Sequence, residues 1–128
     1  MSNRAILFIE SPETTPTQLA GTIRQLDKEK ISSEICSLTR GLIRLKEKKF
    51  QLAVIKVNRA DDEVIDIMRA VHNAQKGISV LVVSMNVTER NAVRVLRQGA
   101  HAYVQHESVS TELMNAVNSV LRGQRYIS

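Results

Sequence analysis

The chain has 128 residues, of which 43% are hydrophobic and 24% charged, a composition typical of one globular domain with a single core. It contains no apolar run near the roughly 20 residues of a membrane-spanning helix, and Met1–Arg4 leads into a short apolar run rather than a signal peptide. The net charge of +5 permits binding to nucleic acid or to an acidic protein, whereas 3% aromatic residues argue against a stacking platform for single-stranded nucleic acid.

The chain has a single cysteine, Cys36, and therefore no pair from which an internal disulfide can form. A lone cysteine fits a reducing compartment, and we expect a cytoplasmic protein. Because Cys36 lies inside an apolar run, we interpret it as a small buried hydrophobic residue rather than as a reactive thiol.

The first predicted unit is a buried strand and the helix that follows it. Residues 5–9 form a wholly apolar run, which is typical of a strand with both faces covered. The helix is expected to begin at Pro16 or Thr17, after a turn-rich loop, and to end near Lys28. Its spacing rests on three apolar residues: Leu19, Ile23 and Leu26.

The second predicted unit is less apolar. Residues 33–38 alternate only in part, which indicates an edge strand. Thr39 is expected to cap a helix whose apolar residues are Leu42, Ile43 and Leu45. A basic group surrounds this helix and is either a charged solvent-facing surface or a nucleic-acid surface: Arg40, Arg44, Lys46, Lys48 and Lys49.

The central predicted strand is 52–57, in which four apolar residues run without a break to Lys56. In open α/β sheets, ligands bind at the carboxyl ends of the strands. Lys56 therefore places a positive charge at the edge of the sheet where binding or catalytic residues are normally found. The next helix is expected to be capped by Asp61 or Asp62 and to stop before Gly77.

Another central strand is predicted at 78–85, the most β-branched run of the chain. The following helix is expected to begin at Thr88 and to end at Gly99, which supplies its C-terminal cap. Its predicted inward residues are Ala92, Val95 and Leu96. The chain ends with a short strand at 101–104, a helix from Ser110 to Gly123 and a short tail.

Strand and helix thus alternate five times along one domain, residues 1–128. Such alternation predicts a flavodoxin-like, doubly wound α/β fold with a five-stranded parallel sheet in the order 2-1-3-4-5. Right-handed crossovers place the carboxyl ends of the strands on one rim. That rim is expected to hold Glu10, Ser11, Lys56, Ser84 and the pair Gln105–His106.

Four segments carry a resemblance to a known family: Val80–Ser84, Gln98–Val104, Glu112–Val117 and Arg122–Ser128. They are similar to the receiver domains of LuxR/NarL-type transcription regulators, which belong to the two-component response regulators. The Gly-Ala-x-x-Tyr element, followed by a helix and Gly-x-x-Tyr-Ile, is fairly specific to that group. The first half of the chain matches mainly in spacing and apolar pattern.

The resemblance implies a phosphorylation site of four parts, of which this chain matches one cleanly. Ser84 fits the Ser/Thr position, whereas the magnesium-holding acidic pair is reduced to Glu10-Ser11, the acceptor aspartate is Lys56, and His106 replaces a lysine. A lysine cannot form an acyl phosphate, and its charge occupies a place where Mg²⁺ needs anionic oxygen ligands. We therefore expect no phosphorylation, no bound Mg²⁺ or other metal, and no cofactor.

Two rim features have more than one interpretation. Lys56 either forms an internal ion pair with Glu10, or extends its ammonium to solvent, or binds a ligand. Tyr103 is either a static core aromatic with its hydroxyl at the surface, or the remnant of a switch in which, in the resembled family, the Ser84 hydroxyl moves together with the ring. Of these, the ion pair and the static tyrosine are favoured.

Arg90, Arg94 and Arg97 recur at helical spacing on the predicted fourth helix, with the semi-exposed Val93 beside them. They form either a solvated face or a contact surface for an acidic partner or a second copy. In receivers the surface formed by the fourth helix, fifth strand and fifth helix is the usual partner face, which favours a contact role.

We therefore predict a non-enzymatic, phosphorylation-independent receiver-like domain that acts in signal transduction or transcription regulation through a protein partner or as a homodimer. The chain is either the first part of a longer regulator with a helix-turn-helix domain after Ser128 or a complete single-domain protein. DNA would be contacted only through such a separate domain, and no membrane contact is expected. The alternative is a small-molecule or nucleotide sensor that uses Lys56, Ser84 and His106 at the rim.

Overall fold

The computed structural model describes residues 4–10, 20–59, 62–86, 89–105 and 109–127. Its elements, in chain order, are β1 (Ala5–Glu10), α1 (Ala20–Lys28), β2 (Ser32–Cys36), α2 (Leu38–Glu47), β3 (Leu52–Arg59), α3 (Asp62–Ala74), β4 (Ser79–Asn86), α4 (Glu89–Arg97), β5 (Ala102–Gln105), α5 (Val109–Leu121) and β6 (Tyr126–Ile127). None of the described helices has both the length and the apolar character needed to cross a membrane.

The strands form one parallel sheet in the order β2-β1-β3-β4-β5-β6. The first five strands confirm the flavodoxin-like order 2-1-3-4-5. The sixth was missed, since 125–128 was expected to be a tail. Gly123 turns the chain with a φ of 83°, and the Tyr126 N–H then donates to the His101 carbonyl at 3.1 Å. A two-residue strand is too short to show any periodicity in sequence.

The sheet carries a hydrophobic cluster on each face. On β3, Ala53, Ile55 and Val57 belong to one cluster, and Leu52 and Val54 belong to the other. The first cluster is completed by helices α2, α3 and α4, and the second by α1 and α5. Because both faces are covered, the central strands are apolar almost throughout, as the sequence indicated.

Helix α2 begins earlier than expected. Its N-cap is Ser37 rather than Thr39, and the Ser37 hydroxyl accepts a hydrogen bond from the Arg40 N–H at 3.4 Å. Ser37 has the extended backbone that a capping residue adopts, whereas Thr39 already lies inside the helix. As a result, β2 ends at Cys36 and not at residue 38.

Two apolar side chains of this region are more exposed than expected. Ile43 on α2 is 51% exposed, because the buried stripe of the helix runs through Gly41 and Leu45 instead. Cys36 is only half-buried, since it lies on the edge strand β2. Burial still raises the pKa of the Cys36 thiol. The expected helix starts at Pro16 or Thr17 and at Thr88, and the capping residue Asp61, lie outside the described residues.

Candidate functional site

The rim is formed by the carboxyl ends of β1, β3, β4 and β5. The strand register aligns Glu10 with Lys56, Val57 with Ser84, and Ser84 with Gln105. Parallel pairing therefore brings residues separated by up to 95 positions to one edge of the sheet, as the sequence predicted. Ser11 and His106, which were also expected at this rim, lie outside the described residues.

Lys56 is buried at the end of the central strand. Its side chain is 1% exposed, and its Nζ lies 3.8 Å from Oε1 of Glu10, whose side chain is 17% exposed. The geometry matches the ion-pair interpretation, and a side chain this deeply buried does not extend into solvent. Lys56 also interacts with a further group.

The Glu10–Lys56 pair joins two charges that have lost most of their hydration. At 3.8 Å the pair is electrostatic, and Glu10 Oε1 is buried without a hydrogen bond from any described residue. Removing two ions from water is costly, and their mutual attraction offsets that cost only while both are present. The pair is therefore mutually dependent, and loss of either partner leaves a buried charge.

A small cavity lies beside this pair. Its volume is about 70 Å³, and its polar lining is Glu10, Lys56 and Glu63, between apolar walls that include Leu38 and Ile67. Ordinary ligand pockets begin at about 300 Å³. The described lining residues carry two carboxylates and one ammonium, so their summed charge is negative. Neither its size nor its charge suits a nucleotide phosphate.

Ser84 and Tyr103 meet in the core between β4 and β5. Their exposed fractions are 0% and 1%. Burial raises the pKa of Tyr103, and the neighbouring Ser84 hydroxyl opposes this effect. The Tyr103 oxygen is itself buried, and no described group completes a hydrogen bond of ordinary geometry to it. Tyr103 is thus a buried aromatic residue whose hydroxyl is not at the surface, contrary to that part of the static interpretation.

Helix α4 presents a basic surface to solvent. Ala92 and Val95 are buried against the sheet and Leu96 is partly buried, as predicted. The opposite side is exposed and lines a shallow depression. We call this surface the α4 stripe: Arg90, Val93, Arg94, Arg97 and Gln98.

Two residues of the second basic group, Arg44 and Lys48, have partners within the protein. Arg44 donates to both carboxylate oxygens of Glu34, at 2.7 and 2.8 Å, and to Glu47 at 3.1 Å. Its hydrogen bond to Glu34 lowers the pKa of that carboxyl. Lys48 lies 3.7 Å from Glu34 and covers the Phe50 ring. Arg44 and Lys48 are therefore engaged within the protein.

Sequence reasoning missed the role of Gln75. Its amide donates to the carbonyls of Leu45 and Lys48 at 2.9 and 2.8 Å, and its oxygen accepts from the Phe50 N–H at 2.9 Å. These bonds hold the turn between α2 and β3. No signal in the sequence connects Gln75 with residues 25 or more positions away.

Among the described residues, no three His, Cys, Asp or Glu side chains are grouped closely enough to hold a metal ion. At the rim, the described carboxylates are Glu10 and the neighbouring Glu63, with the Lys56 ammonium between the same cavity walls. A cation there would have to displace or face that ammonium.

No protein-family model and no curated protein matches the sequence. Solved structures do match. A CheY-like response regulator receiver domain protein from Methanospirillum hungatei has a TM-score of 0.74 and 23% identity, covering 96% of this chain and 97% of that one.

Two further structures are similar over nearly the whole chain. The non-phosphorylated receiver domain of RcsB from Escherichia coli has a TM-score of 0.78 and 16% identity, with 99% of each chain covered. A LuxR family DNA-binding response regulator from Silicibacter pomeroyi has a TM-score of 0.76 and 16% identity, covering 98% of this chain and 96% of that one. This chain therefore has the CheY-like flavodoxin fold of receiver domains.

Proposed function

We propose that the chain is a receiver-like regulatory domain that works without phosphorylation, through contacts with other proteins, in signal transduction or transcription regulation. The fold it shares with response regulator receivers, a LuxR family regulator among them, supports the regulatory class. A non-enzymatic role in the cytoplasm goes with this proposal, and any DNA contact is assigned to a separate domain.

The buried Glu10–Lys56 pair is the observation that carries the proposal. Lys56 occupies the carboxyl end of the central strand, which corresponds to the acceptor position that the resemblance implied. An amine there cannot form an acyl phosphate. Its ammonium also takes the one described carboxylate of the first strand, Glu10, as its counter-ion. We infer that this internal cation takes the place of a metal ion and a phosphoryl group at the rim.

The sensor hypothesis has less support. An anion at the rim would need access to an ammonium that is 1% exposed and already paired with Glu10. The adjoining cavity is about 70 Å³ and lined by two carboxylates. This described cavity is thus too small for a ligand of nucleotide size.

Incubation with acetyl phosphate and Mg²⁺, followed by intact-mass measurement, tests the proposal. We expect no gain of a phosphoryl group, while a receiver domain with an acceptor aspartate gains one in the same reaction. Acid-labile phosphate on this chain would overturn phosphorylation independence. In parallel, a nucleotide panel in a thermal-shift assay separates the two hypotheses, because a ligand of the native state raises the Tm. We expect no such shift.

A further inference from the structure

The α4 stripe has the arrangement of a helix-binding surface. Arg90, Arg94 and Arg97 follow each other at spacings of four and three, so they share one face of α4, with Val93 on the same face. A partner helix that packs along such a face presents its own residues at the same spacing. The exposed face of α4 therefore fits a second helix in register.

The residue types of the stripe suit a protein partner. A guanidinium offers a planar fork that binds a carboxylate with two hydrogen bonds, and arginine is enriched in protein interfaces where lysine is depleted. Arg94 also has a contact within the protein, yet its five donors can serve two partners. Val93 is 43% exposed and adds an apolar contact among the charges.

A second copy of the chain fits this surface poorly. A two-fold pairing of α4 with α4 places the same surface on both sides of the contact. Three arginines would then face three arginines, and like charges across an interface oppose association. Charge complementarity requires carboxylates on the other side.

We propose that the α4 stripe binds an acidic helix of another protein. Its glutamates or aspartates would repeat at spacings of four and three to meet Arg90, Arg94 and Arg97, and an apolar residue would cover Val93. The inference deepens the proposed function and rests on it in one respect: a receiver-like domain without a phosphoryl signal needs partner binding as its input.

A synthetic helical peptide serves as the probe. One face carries glutamates at the four-and-three spacing with a leucine beside the middle one, and a second peptide has the same composition in scrambled order. Fluorescence anisotropy gives the Kd, and NMR shift changes map the contact. We expect the ordered peptide to bind more tightly than the scrambled one, to perturb α4, and to weaken as salt rises.

Variants separate a specific surface from general attraction. Arg90→Glu/Arg94→Glu/Arg97→Glu is expected to weaken binding at least about tenfold. The matched control, Lys46→Glu/Lys49→Glu/Lys76→Glu, changes the net charge equally at exposed residues elsewhere and is expected to retain most of the affinity. Val93→Ser is expected to weaken binding without a change of charge.

Several outcomes would overturn the inference. Equal affinity for both peptides, or an equal loss of affinity in the two triple variants, would show that the α4 stripe attracts the peptide only through non-specific charge. A dimer of the unmodified chain in analytical ultracentrifugation that the arginine variant dissociates would assign the surface to a second copy. These results are independent of phosphate incorporation, so failure of the peptide test and failure of phosphorylation independence are distinguishable.

Discussion

Lys56 and Glu10 differ in how much water they retain. Lys56 is 1% exposed and Glu10 is 17% exposed, so the ammonium depends more on its partner than the carboxylate does. Breaking a buried ion pair from one side is strongly destabilising, whereas replacing both partners by neutral residues is often close to neutral. The two single changes are therefore expected to be unequal.

Glu10→Gln is expected to lower the free energy of unfolding by about 3 kcal/mol, because it removes the carboxylate that lies 3.8 Å from the buried Lys56 ammonium. Lys56→Met is expected to cost less, since it keeps an apolar stem of similar length and Glu10 can regain some water. The double variant should cost less than the sum of the two. Urea denaturation of all four proteins gives the coupling energy. Additive losses would mean that the 3.8 Å contact contributes nothing to stability.

Helix α2 lies close to β1 because of one residue without a side chain. A Cβ atom at Gly41 would lie 3.1 Å from Cγ1 of Ile9 and 3.3 Å from Sγ of Cys36. Gly21 in α1 is the natural comparison, since a Cβ there would meet nothing within 4 Å. Replacing each of these two glycines by alanine therefore separates the effect of helix propensity on stability from the effect of packing.

Gly41→Ala is expected to lower the free energy of unfolding by about 1 kcal/mol, because crowding against Ile9 and Cys36 outweighs the gain in helix propensity. Gly21→Ala is expected to raise it by about 0.5–1 kcal/mol, since only the gain in propensity remains. Chemical denaturation of both variants shows whether the free energy of unfolding falls in the first and rises in the second. A stabilised Gly41→Ala would show that Ile9 repacks without cost.

His101 connects three strands near the amino end of β5. Its Nδ1 accepts from the Val80 N–H at 3.4 Å, and its carbonyl accepts from the Tyr126 N–H at 3.1 Å. Burial lowers the pKa of His101 below its ordinary value of 6.5, and the nearby Arg125 and His72 charges act in the same direction. Protonation would place a second donor against the Val80 N–H.

The whole molecule is therefore expected to lose stability as the pH falls below about 6.5. In that range the unfolded chain binds a proton at His101 more readily than the folded chain does, and the full contribution is present above it. His101→Asn keeps an acceptor near the Nδ1 position and does not titrate. Urea midpoints between about pH 7.5 and 5 should vary less in this variant. Equal slopes in both proteins would contradict this role of His101.

The effects of His101 and Glu34 on stability fall in separate pH ranges. Glu34 has a lowered pKa because of its hydrogen bond to Arg44, so its contribution is lost only as the pH falls below the ordinary value of 4.5. Changes of stability above about pH 5 therefore report on His101 rather than on this carboxylate.

The alternation of apolar runs and amphipathic helices was enough to predict the strand order and the edge of the sheet on which Glu10, Lys56 and Ser84 lie. These features depend on periodicities that each short segment carries by itself. The inward and outward faces of α4 were likewise correct, because Val95 and Arg94 differ so strongly in their preference for water.

Other features depended on contacts between distant segments and had no local signal. The depth at which Lys56 is buried, the inward hydroxyl of Tyr103, the Gln75 bonds and the pairing of β6 with β5 all result from how the layers close on one another. The type of a residue determines in which environments its side chain can lie at a low cost in free energy. The tertiary structure determines in which of these environments it does lie. The positive charge of Lys56 at the rim could thus be predicted from the sequence. Its burial could not, because it depends on how the surrounding residues pack.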